Sequence, residues 1–269
     1  MIGVFDSGFG GLHVLRGIAK ELPEYGYVYA GDSARAPYGP KSVEEVYEFT
    51  KQGVEFLFAH GATFVILACN TASSEALRKI QQEYLREGSA KKVLGVLIPF
   101  AEAAAARTRN KRVGVLATEG TVRSGSFPRE ITKVDDDIEV FQQACPGLVP
   151  LVEAGEQDSE TAERLIREYL APVVSHGVDT LVLGCTHYGL IQNNIRKALG
   201  EKNVQVISES EVVSKSLSDY LARHSDIEQR LEKNVPNRFY STGDIRRFER
   251  LGGIFFGGPI RAQRADFRI

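Results

Sequence analysis

Cys69 and Cys185 are the residues best suited to chemistry, because their sequence contexts repeat each other. Each follows a short apolar run and precedes a segment of helical character, within TFVILACNTAS and DTLVLGCTHYG. A thiol at the start of a helix lies near the positive end of the helix dipole, which is expected to lower its pKa and favour the thiolate. Two such groups on opposite sides of one carbon can take a proton from one face and return a proton to the other, which inverts the stereocentre.

The duplication extends upstream of both cysteines. MIGVFDS, ending at Ser7, and RVGVLAT, ending at Thr118, share one pattern and precede Cys69 and Cys185 at similar distances. The sequence therefore predicts two related half-molecules, each carrying a hydroxyl loop and a thiol, that face one cleft. Cys145 lacks such a context, and we expect it to be a small buried apolar side chain.

Polar residues directly follow several apolar runs. In open α/β sheets, ligands bind outside the carboxyl ends of the strands, so these positions are candidates for a site. Capping of the following helix would explain any one of them alone, but not the whole set. The candidates are Asp6, Ser7, Asp32, Ser33, Cys69, Asn70, Thr71, Thr118, Cys185, Thr186 and His187.

The charged candidates could support the two thiols. His187 could form an ion pair with Cys185 or relay its proton, and Asp6 could do the same for Cys69, although a structural role for either stays open. The substrate needs a C–H made acidic by a neighbouring carboxylate, and groups that hold its carboxylate and ammonium. Neutral donors are Ser7, Asn70, Thr71, Thr118, Thr121 and Thr186, and carboxylates that could meet an ammonium are Asp6, Asp32 and Glu153.

No cofactor motif is evident. FDSGFGG, at 5–11, lacks the GxGxxG spacing of dinucleotide-binding turns. Its glycines fit a tight turn that brings backbone N–H groups to a carboxylate at a helix N-terminus. Phosphate-loop, zinc-protease, calcium-loop and nucleophile-elbow patterns are also missing, and no lysine stands in a context typical of a Schiff base with pyridoxal phosphate.

The elements that position these residues follow from hydrophobic periodicity. Short apolar runs alternate with amphipathic helical windows, which indicates βαβ units and an α/β fold with mainly parallel sheets. We place a first domain at residues 1–97 plus 208–269, carrying Cys69, and a second at residues 98–207, carrying Cys185. The tail beyond about Ser208 is expected to pack back on the first half.

Helix boundaries are also predictable. Ser42 and Ser73, each followed closely by a glutamate, are expected to cap helix N-termini. Long helical runs are expected to end near Gly61, Gly88 and Gly200, because glycine readily adopts the left-handed conformation of a C-terminal cap.

Composition excludes several classes of protein. The 269 residues are 43% hydrophobic and 25% charged, which is typical of globular domains, and the net charge of −2 gives no broad attraction to nucleic acid or anionic membranes. No stretch approaches the roughly 18 apolar residues of a membrane span, and the N-terminus lacks a signal-peptide pattern, so we expect a cytoplasmic protein with a small-molecule partner. The three cysteines do not suggest a disulfide framework or a CxxC zinc or redox site.

Taken with these motifs, the sequence resembles glutamate racemases, within the cofactor-independent aspartate/glutamate racemase superfamily. The resemblance implies a pseudo-symmetric two-domain isomerase, without cofactor or metal and usually homodimeric, that interconverts L- and D-glutamate and supplies D-glutamate for peptidoglycan. The motifs that carry it run nearly end to end: FDSGFGGL at 5–12, GDSARAPYG at 31–39, ACNTAS at 68–73, TEGTVRSGSF at 118–127, PLVEAG at 150–155 and GCTHYG at 184–189.

The resemblance also implies residue roles. Cys69 would deprotonate the D enantiomer and Cys185 the L enantiomer, each protonating the intermediate formed by the other. The positions that match the substrate-binding residues are Asp6, Ser7, Tyr38, Gly39, Asn70, Thr71, Thr186 and His187. The positions that match the supporting acid/base groups are Asp6, Asp32, Glu153 and His187.

The sequence departs from its relatives in three places. Gly189 stands where a proline is general, Phe127 where a tyrosine is common, and the segment around Phe100 differs from the usual entry into the second domain. These changes could loosen the helix after Cys185 or reshape the wall of the cleft. The chain begins directly at its first strand, so we expect no activation by a cell-wall precursor.

Three other functions stay open from the residues alone. A two-thiol racemase for aspartate or a hydantoin would need the same constellation, since one methylene is worth only about 1–3 kcal/mol in a pocket. A non-catalytic amino-acid-binding protein with two lobes would not need the thiols. A thiol redox protein would be expected to have a resolving cysteine close in sequence, and none is present.

Overall fold

The computed structural model describes residues 1–85 and 89–267, and within them the chain folds into two parallel β-sheets covered by helices. One sheet has six strands, and the other has four. Every pairing within them is parallel, which confirms the predicted fold class. The strands are Ile2–Asp6 (β1), Tyr27–Gly31 (β2), Phe64–Leu67 (β3), Lys92–Gly95 (β4), Arg112–Ala117 (β5), Glu139–Ala144 (β6), Thr180–Gly184 (β7), Gln205–Ile207 (β8), Arg238–Ser241 (β9) and Ala262–Arg264 (β10).

The two sheets repeat one strand order. In the first sheet β2-β1-β3-β4 are neighbours, and in the second β6-β5-β7-β8 are neighbours, so the second run matches the first strand by strand. The strand before Ser7 therefore lies beside the strand before Cys69, as the strand before Thr118 lies beside the strand before Cys185. The predicted relation between two half-molecules is borne out by this topology.

The tail adds to the first sheet only. β9 pairs with β2, and β10 pairs with β9, so residues far apart in sequence extend that sheet at one edge. The predicted return of the tail to the first half is confirmed. The division into residues 1–97 plus 208–269 and residues 98–207 stays a prediction, although each set contains the strands of one sheet alone.

Helices cover the sheets and end largely where the sequence indicates. Ser42 caps the helix that begins at Val43, with a reciprocal capping box to Glu45, and both Gly61 and Gly200 follow helix ends with positive φ. Gly88 lies outside the described residues. The helices are Gly11–Glu21 (α1), Val43–Ala59 (α2), Asn70–Glu75 (α3), Leu77–Lys79 (α4), Leu97–Arg107 (α5), Glu119–Arg123 (α6), Ser126–Val134 (α7), Leu148–Ala154 (α8), Glu160–Val174 (α9), Gln192–Leu199 (α10), Glu209–Arg223 (α11), Ser225–Glu228 (α12) and Ile245–Phe256 (α13), with a π-helical turn at Ile80–Tyr84 and a 3-10 helix at Thr186–Ile191.

One predicted cap is wrong. Ser73 lies inside α3, and the N-cap of that helix is Cys69, whose sulfur accepts a hydrogen bond from the backbone N–H of Ala72. The helix begins earlier than expected, and the Ser73 hydroxyl instead donates to the carbonyl of Leu67 at 2.8 Å.

The two halves share one apolar core. Helix α1 packs against α11 and against the 3-10 helix, and a single cluster of buried side chains reaches from Val4 in the first sheet to Leu183 in the second. Cys145 is buried in this cluster, as expected. None of the helices in the described part of the chain is long and apolar enough to cross a membrane.

Candidate active site

Both thiols line one cavity at the carboxyl ends of the strands. Its volume is about 30 Å³, which is space for about one or two water molecules. Gly8, Ala36, Pro37 and Val149 also contribute to its walls. The residues predicted for the site that line this cavity are Ser7, Tyr38, Gly39, Cys69, Asn70, Thr71, Thr118, Glu153, Cys185, Thr186 and His187. Four predicted residues do not line the cavity: Asp6, Asp32 and Thr121 lie behind the lining and are fully buried, and Ser33 is partly buried, with its hydroxyl 2.7 Å from that of Ser241.

The Cys69 thiol is held by its own helix and by the first loop. Its sulfur lies 3.5 Å from the backbone N–H donor of Ala72 and donates to the hydroxyl of Ser7 at 3.5 Å. Burial, followed by the carboxylate of Asp6, nevertheless raises the pKa of Cys69 to about 12. The expectation that the helix N-terminus would lower this pKa is wrong for the free site, because desolvation of the thiolate outweighs the hydrogen bonds from Ser7 and Ala72.

The Cys185 thiol is arranged differently. Cys185 has extended backbone angles, and its side chain makes no capping hydrogen bond to the 3-10 helix that follows it. Burial raises its pKa well above the usual range, and the nearby Cys69, Glu209 and Asp6 act in the same direction, while a hydrogen bond from the His187 backbone opposes them. The predicted lowering of the pKa therefore fails here too.

A chain of polar groups leads away from Cys185. Its sulfur lies 3.9 Å from Nδ1 of His187, and Nε2 of that ring lies 3.1 Å from Oε1 of Glu153. Arg247, on α13, donates to Oε2 of Glu153 at 3.1 Å. The ring can accept the thiol proton on one nitrogen while the carboxylate stabilises the resulting imidazolium from the other side.

Asp6 ties the first loop to the second half. Its Oδ2 accepts a hydrogen bond from the backbone N–H of Gly8 at 2.9 Å, and its Oδ1 accepts one from the Thr186 hydroxyl at 3.4 Å. The predicted tight turn around a carboxylate thus forms, and the carboxylate is that of Asp6 itself. Burial raises the pKa of Asp6, and His187 is the largest influence in the opposite direction.

Gly10 allows the two halves to approach. A Cβ atom at this position would lie 2.2 Å from Oγ1 of Thr186 and 2.8 Å from Nδ1 of His187. Both distances are shorter than van der Waals contact, so the absence of a side chain at Gly10 lets the Thr186–His187 segment sit against the first loop.

Asp32 supports Tyr38 from outside the cavity. Its Oδ2 accepts from the Tyr38 hydroxyl at 2.5 Å and from Nε of Arg35 at 2.7 Å, and its Oδ1 accepts from the Thr242 hydroxyl at 2.8 Å. These three bonds occupy both carboxylate oxygens and place the Tyr38 ring at the wall.

The two phenylalanines at which the sequence departs from its relatives lie away from the cavity. The rings of Phe100 and Phe127 pack with centroids 5.8 Å apart in the core of the second half, and neither lines the cavity. Gly189 faces α1, where a Cβ would lie 2.4 Å from the His13 ring. None of these three residues lines the cavity, so the expected reshaping of the cleft wall has no direct contact behind it.

Two residues at the site were missed by sequence analysis. Glu209 follows β8 directly after Ser208, so the rule about strand ends could have found it, and its Oε1 accepts from Nδ2 of Asn70 at 3.0 Å. Arg247 had no such signal, because it lies on an amphipathic helix distant in sequence from every motif.

Comparison with known proteins identifies the family of this chain. Residues 2–215 match the Asp/Glu/hydantoin racemase family. The chain belongs to this family. Among similar members, the glutamate racemase of Exiguobacterium sibiricum is 38% identical over 266 residues, which is 98% of this chain and 94% of that protein.

Solved structures of family members have the same fold. The glutamate racemase of Bacillus anthracis is 37% identical with a TM-score of 0.91, and 99% of this chain and 97% of that chain are covered. The glutamate racemase of Francisella tularensis, solved in complex with D-glutamate, is 32% identical with a TM-score of 0.88 over the same shares of both chains. The resemblance noted in the sequence is confirmed.

Proposed function

We propose that this member of the family is a glutamate racemase that interconverts L- and D-glutamate by proton transfer at Cα. The observation that carries the proposal is the presence of two thiols, one from each repeated half, on the walls of one small cavity. Relatives of nearly equal length, about two-fifths identical and named glutamate racemase, favour glutamate over the other substrates of the family.

The reaction needs one thiolate and one thiol at a time. For D-glutamate, the Cys69 thiolate removes the Cα proton while the Cys185 thiol delivers its proton to the opposite face, which leaves a Cys69 thiol and a Cys185 thiolate. For L-glutamate the two sulfurs exchange roles. Each turnover therefore moves one proton onto the protein and one off it, and no other reactant is needed.

The surrounding groups lower the cost of forming each thiolate. The Ser7 hydroxyl and the Ala72 N–H can donate to the Cys69 sulfur, and His187 can take the Cys185 proton while Glu153 stabilises the charged ring. The substrate ammonium adds a positive charge to a site where both thiols are otherwise neutral, and a nearby cation lowers a thiol pKa.

The remaining polar groups hold the substrate. Neutral donors at the wall suit the two carboxylates of glutamate, and the acidic groups suit its ammonium. The donors are Ser7, Asn70, Thr71, Thr118 and Thr186, with the backbone at Tyr38 and Gly39. The acidic groups are Glu153 at the wall and Asp6 behind it, whose charge acts on the ammonium through the lining, while Asp32 and Thr121 support the lining from behind.

An assay of optical rotation tests the function. L- or D-glutamate in deuterated water, without added pyridoxal phosphate, should lose its rotation while deuterium enters at Cα. Cys69→Ser and Cys185→Ser should each abolish the loss. Unchanged rotation with folded protein would refute the proposal, and equal turnover of aspartate would refute the preference for glutamate. Retained ligand binding without turnover in the wild type would indicate a binding protein instead.

We also propose that the chain acts as a homodimer in the cytoplasm, providing D-glutamate for peptidoglycan, with its domains divided at residues 97/98 and 207/208. Sedimentation of the purified protein tests the dimer. A mass near 30 kDa at micromolar concentration would refute it, since the chain has a mass of 29.6 kDa.

A further inference from the structure

Glu209 carries a buried carboxyl group that the proposed mechanism leaves unused. It is the first residue of α11, and it is only 3% exposed. Its Oε1 accepts a hydrogen bond from Nδ2 of Asn70 at 3.0 Å. Its Oε2 is buried with no hydrogen-bond partner among the described residues.

Asn70 also has a buried oxygen atom without a hydrogen-bond partner among the described residues. It lines the cavity directly after Cys69, so the orientation of its amide decides what the substrate meets on that wall. Its Oδ1 is buried and, like Oε2 of Glu209, has no hydrogen-bond partner in the described part of the chain. A buried acceptor without a donor costs free energy, and here two of them belong to side chains already joined by one hydrogen bond.

Protonation of Glu209 would allow its Oε2 and the Oδ1 of Asn70 to bond to each other. A protonated carboxyl has one O–H donor, and Asn70 Oδ1 is an acceptor in need of one. An acid and an amide that face each other can form two hydrogen bonds at once, with the amide N–H donating to one carboxyl oxygen and the carboxyl O–H donating to the amide oxygen.

The electrostatic surroundings keep that proton in place. Burial raises the pKa of Glu209 well above its usual range, the carboxylate of Asp6 raises it further, and only the bond from Asn70 opposes them. The Cys185 thiol is also in electrostatic contact with Glu209, and it supplies no positive charge. An acid that merely capped α11 would accept from the backbone N–H groups of that helix, whereas the described hydrogen bond of Glu209 goes to a side chain on another helix.

We propose that Glu209 is a positioning residue, a neutral carboxylic acid that pairs with both polar atoms of the Asn70 amide and fixes which edge of that amide faces the substrate. The pair leaves the second N–H of Asn70 and the second lone pair of its Oδ1 for the substrate. Glu209 acts through Asn70 and does not touch the reacting atoms. This inference rests on the proposed function.

Two variants separate this role from packing and from charge. Glu209→Gln keeps one donor and one acceptor in the same place, so it should preserve kcat/KM for both enantiomers within about threefold. Glu209→Met keeps the length of the side chain without polar atoms, and should lower kcat/KM about tenfold, the value of one or two buried hydrogen bonds. In an Asn70→Ala background, Glu209→Met should have no further effect. Circular dichroism and thermal unfolding of each variant establish that it is folded.

Each alternative outcome overturns the inference. A Met variant as active as the wild type would mean that Glu209 only fills space. A Gln variant as impaired as the Met variant would mean that an ionised carboxylate is required. If Glu209→Met lowered activity as much in the Asn70→Ala background as in the wild type, Glu209 would act independently of the Asn70 amide.

A spectroscopic measurement keeps the test independent of turnover and of the Met variant. The infrared difference spectrum between wild type and Glu209→Gln should contain the C=O stretch of a protonated carboxyl group, and a carboxylate band in its place would overturn the inference. A wild type that failed to racemise glutamate would refute the proposed function, while this spectrum would still decide whether the neutral acid is present.

Discussion

The hydroxyl oxygens of Thr71 and Thr118 lie 2.9 Å apart, so a hydrogen bond joins the two halves of the molecule directly across the candidate cleft. Thr118 is bonded in turn to Thr121 at 3.0 Å. With a volume of about 30 Å³ between the walls, the cleft is too small for glutamate. The substrate can therefore enter only when the walls separate, and the thiols of the free protein are shielded from solvent.

The pH dependence of thiol alkylation should show this shielding. Because burial raises the pKa of Cys69 to about 12, the neutral thiol persists well above pH 8.5, where an exposed cysteine is half ionised. Alkylation of Cys69 by iodoacetamide should rise steadily, about tenfold per pH unit, from pH 7 to pH 10. Peptide mass spectrometry follows each cysteine, and protein unfolded in guanidinium is the control. A plateau below pH 9 in the folded protein would contradict the raised pKa.

Replacing Glu153 by glutamine should impair the Cys185 half of the reaction. The charged acceptor on His187 Nε2 would be lost, so the imidazolium that forms when Cys185 ionises would be less stable. We expect kcat/KM to fall roughly 10- to 100-fold in both directions, since the equilibrium constant of a racemisation is one. The isotope effect with Cα-deuterated L-glutamate should increase, because removal of that proton becomes slower.

Arg247→Met serves as the matched control for that variant. The arginine also contacts the Glu153 carboxylate, but its side chain is 52% exposed, so the pair is weakened by solvent. Its loss should reduce kcat/KM at most about fivefold. If Arg247→Met lowered kcat/KM more than Glu153→Gln, the role of Glu153 would be to position Arg247 and not to stabilise the His187 imidazolium.

Adding a methyl group at Gly10 should push the halves apart. Because its Cβ would lie 2.2 Å from Oγ1 of Thr186, Gly10→Ala should destabilise the protein by about 1–3 kcal/mol and greatly reduce turnover. Gly258→Ala is the control, since a Cβ there would meet nothing within 4 Å. Denaturant unfolding and glutamate turnover measure the two effects. Full activity of Gly10→Ala would show that the close approach is not needed.

The departure at Gly189 should be coupled to His13. A Cβ at Gly189 would lie 2.4 Å from Cδ2 of the His13 ring, so Gly189→Ala should cost about 1–3 kcal/mol of stability. The same substitution in a His13→Ala background should cost much less, because the ring is no longer in the way. A double-mutant cycle by denaturant unfolding measures this coupling. Equal costs in both backgrounds would disprove the steric explanation.

The fold was largely predictable because its central strands, such as β1, β3 and β7, are buried on both faces and read as continuous apolar runs. β6 is an exception: Glu139–Ala144 is a partly exposed edge strand without such a run, and no strand is predicted there. The chain after Thr118 forms two short helices, α6 and α7, which are separated at Gly125, a residue with a φ of +59°. Local patterns do not reveal such breaks.

The candidate site was predictable where its residues follow strands, as Cys69, Asn70 and Thr186 do. The protonation state of the thiols was not predictable. A helix N-terminus is visible in the sequence, but the burial of a sulfur and its distance from Asp6 depend on how two distant loops meet. Arg247 illustrates the same limit, since only the folded chain brings its helix to Glu153.

The isotopic content of the first product tests the two-thiol account most directly. L-glutamate with protium at Cα is incubated briefly in deuterated water, and substrate and product are separated at low conversion. Transfer between two different sulfurs predicts D-glutamate that carries deuterium at Cα beside remaining L-glutamate that still carries protium. Protium retained in the product, or deuterium appearing equally fast in the remaining substrate, would contradict it.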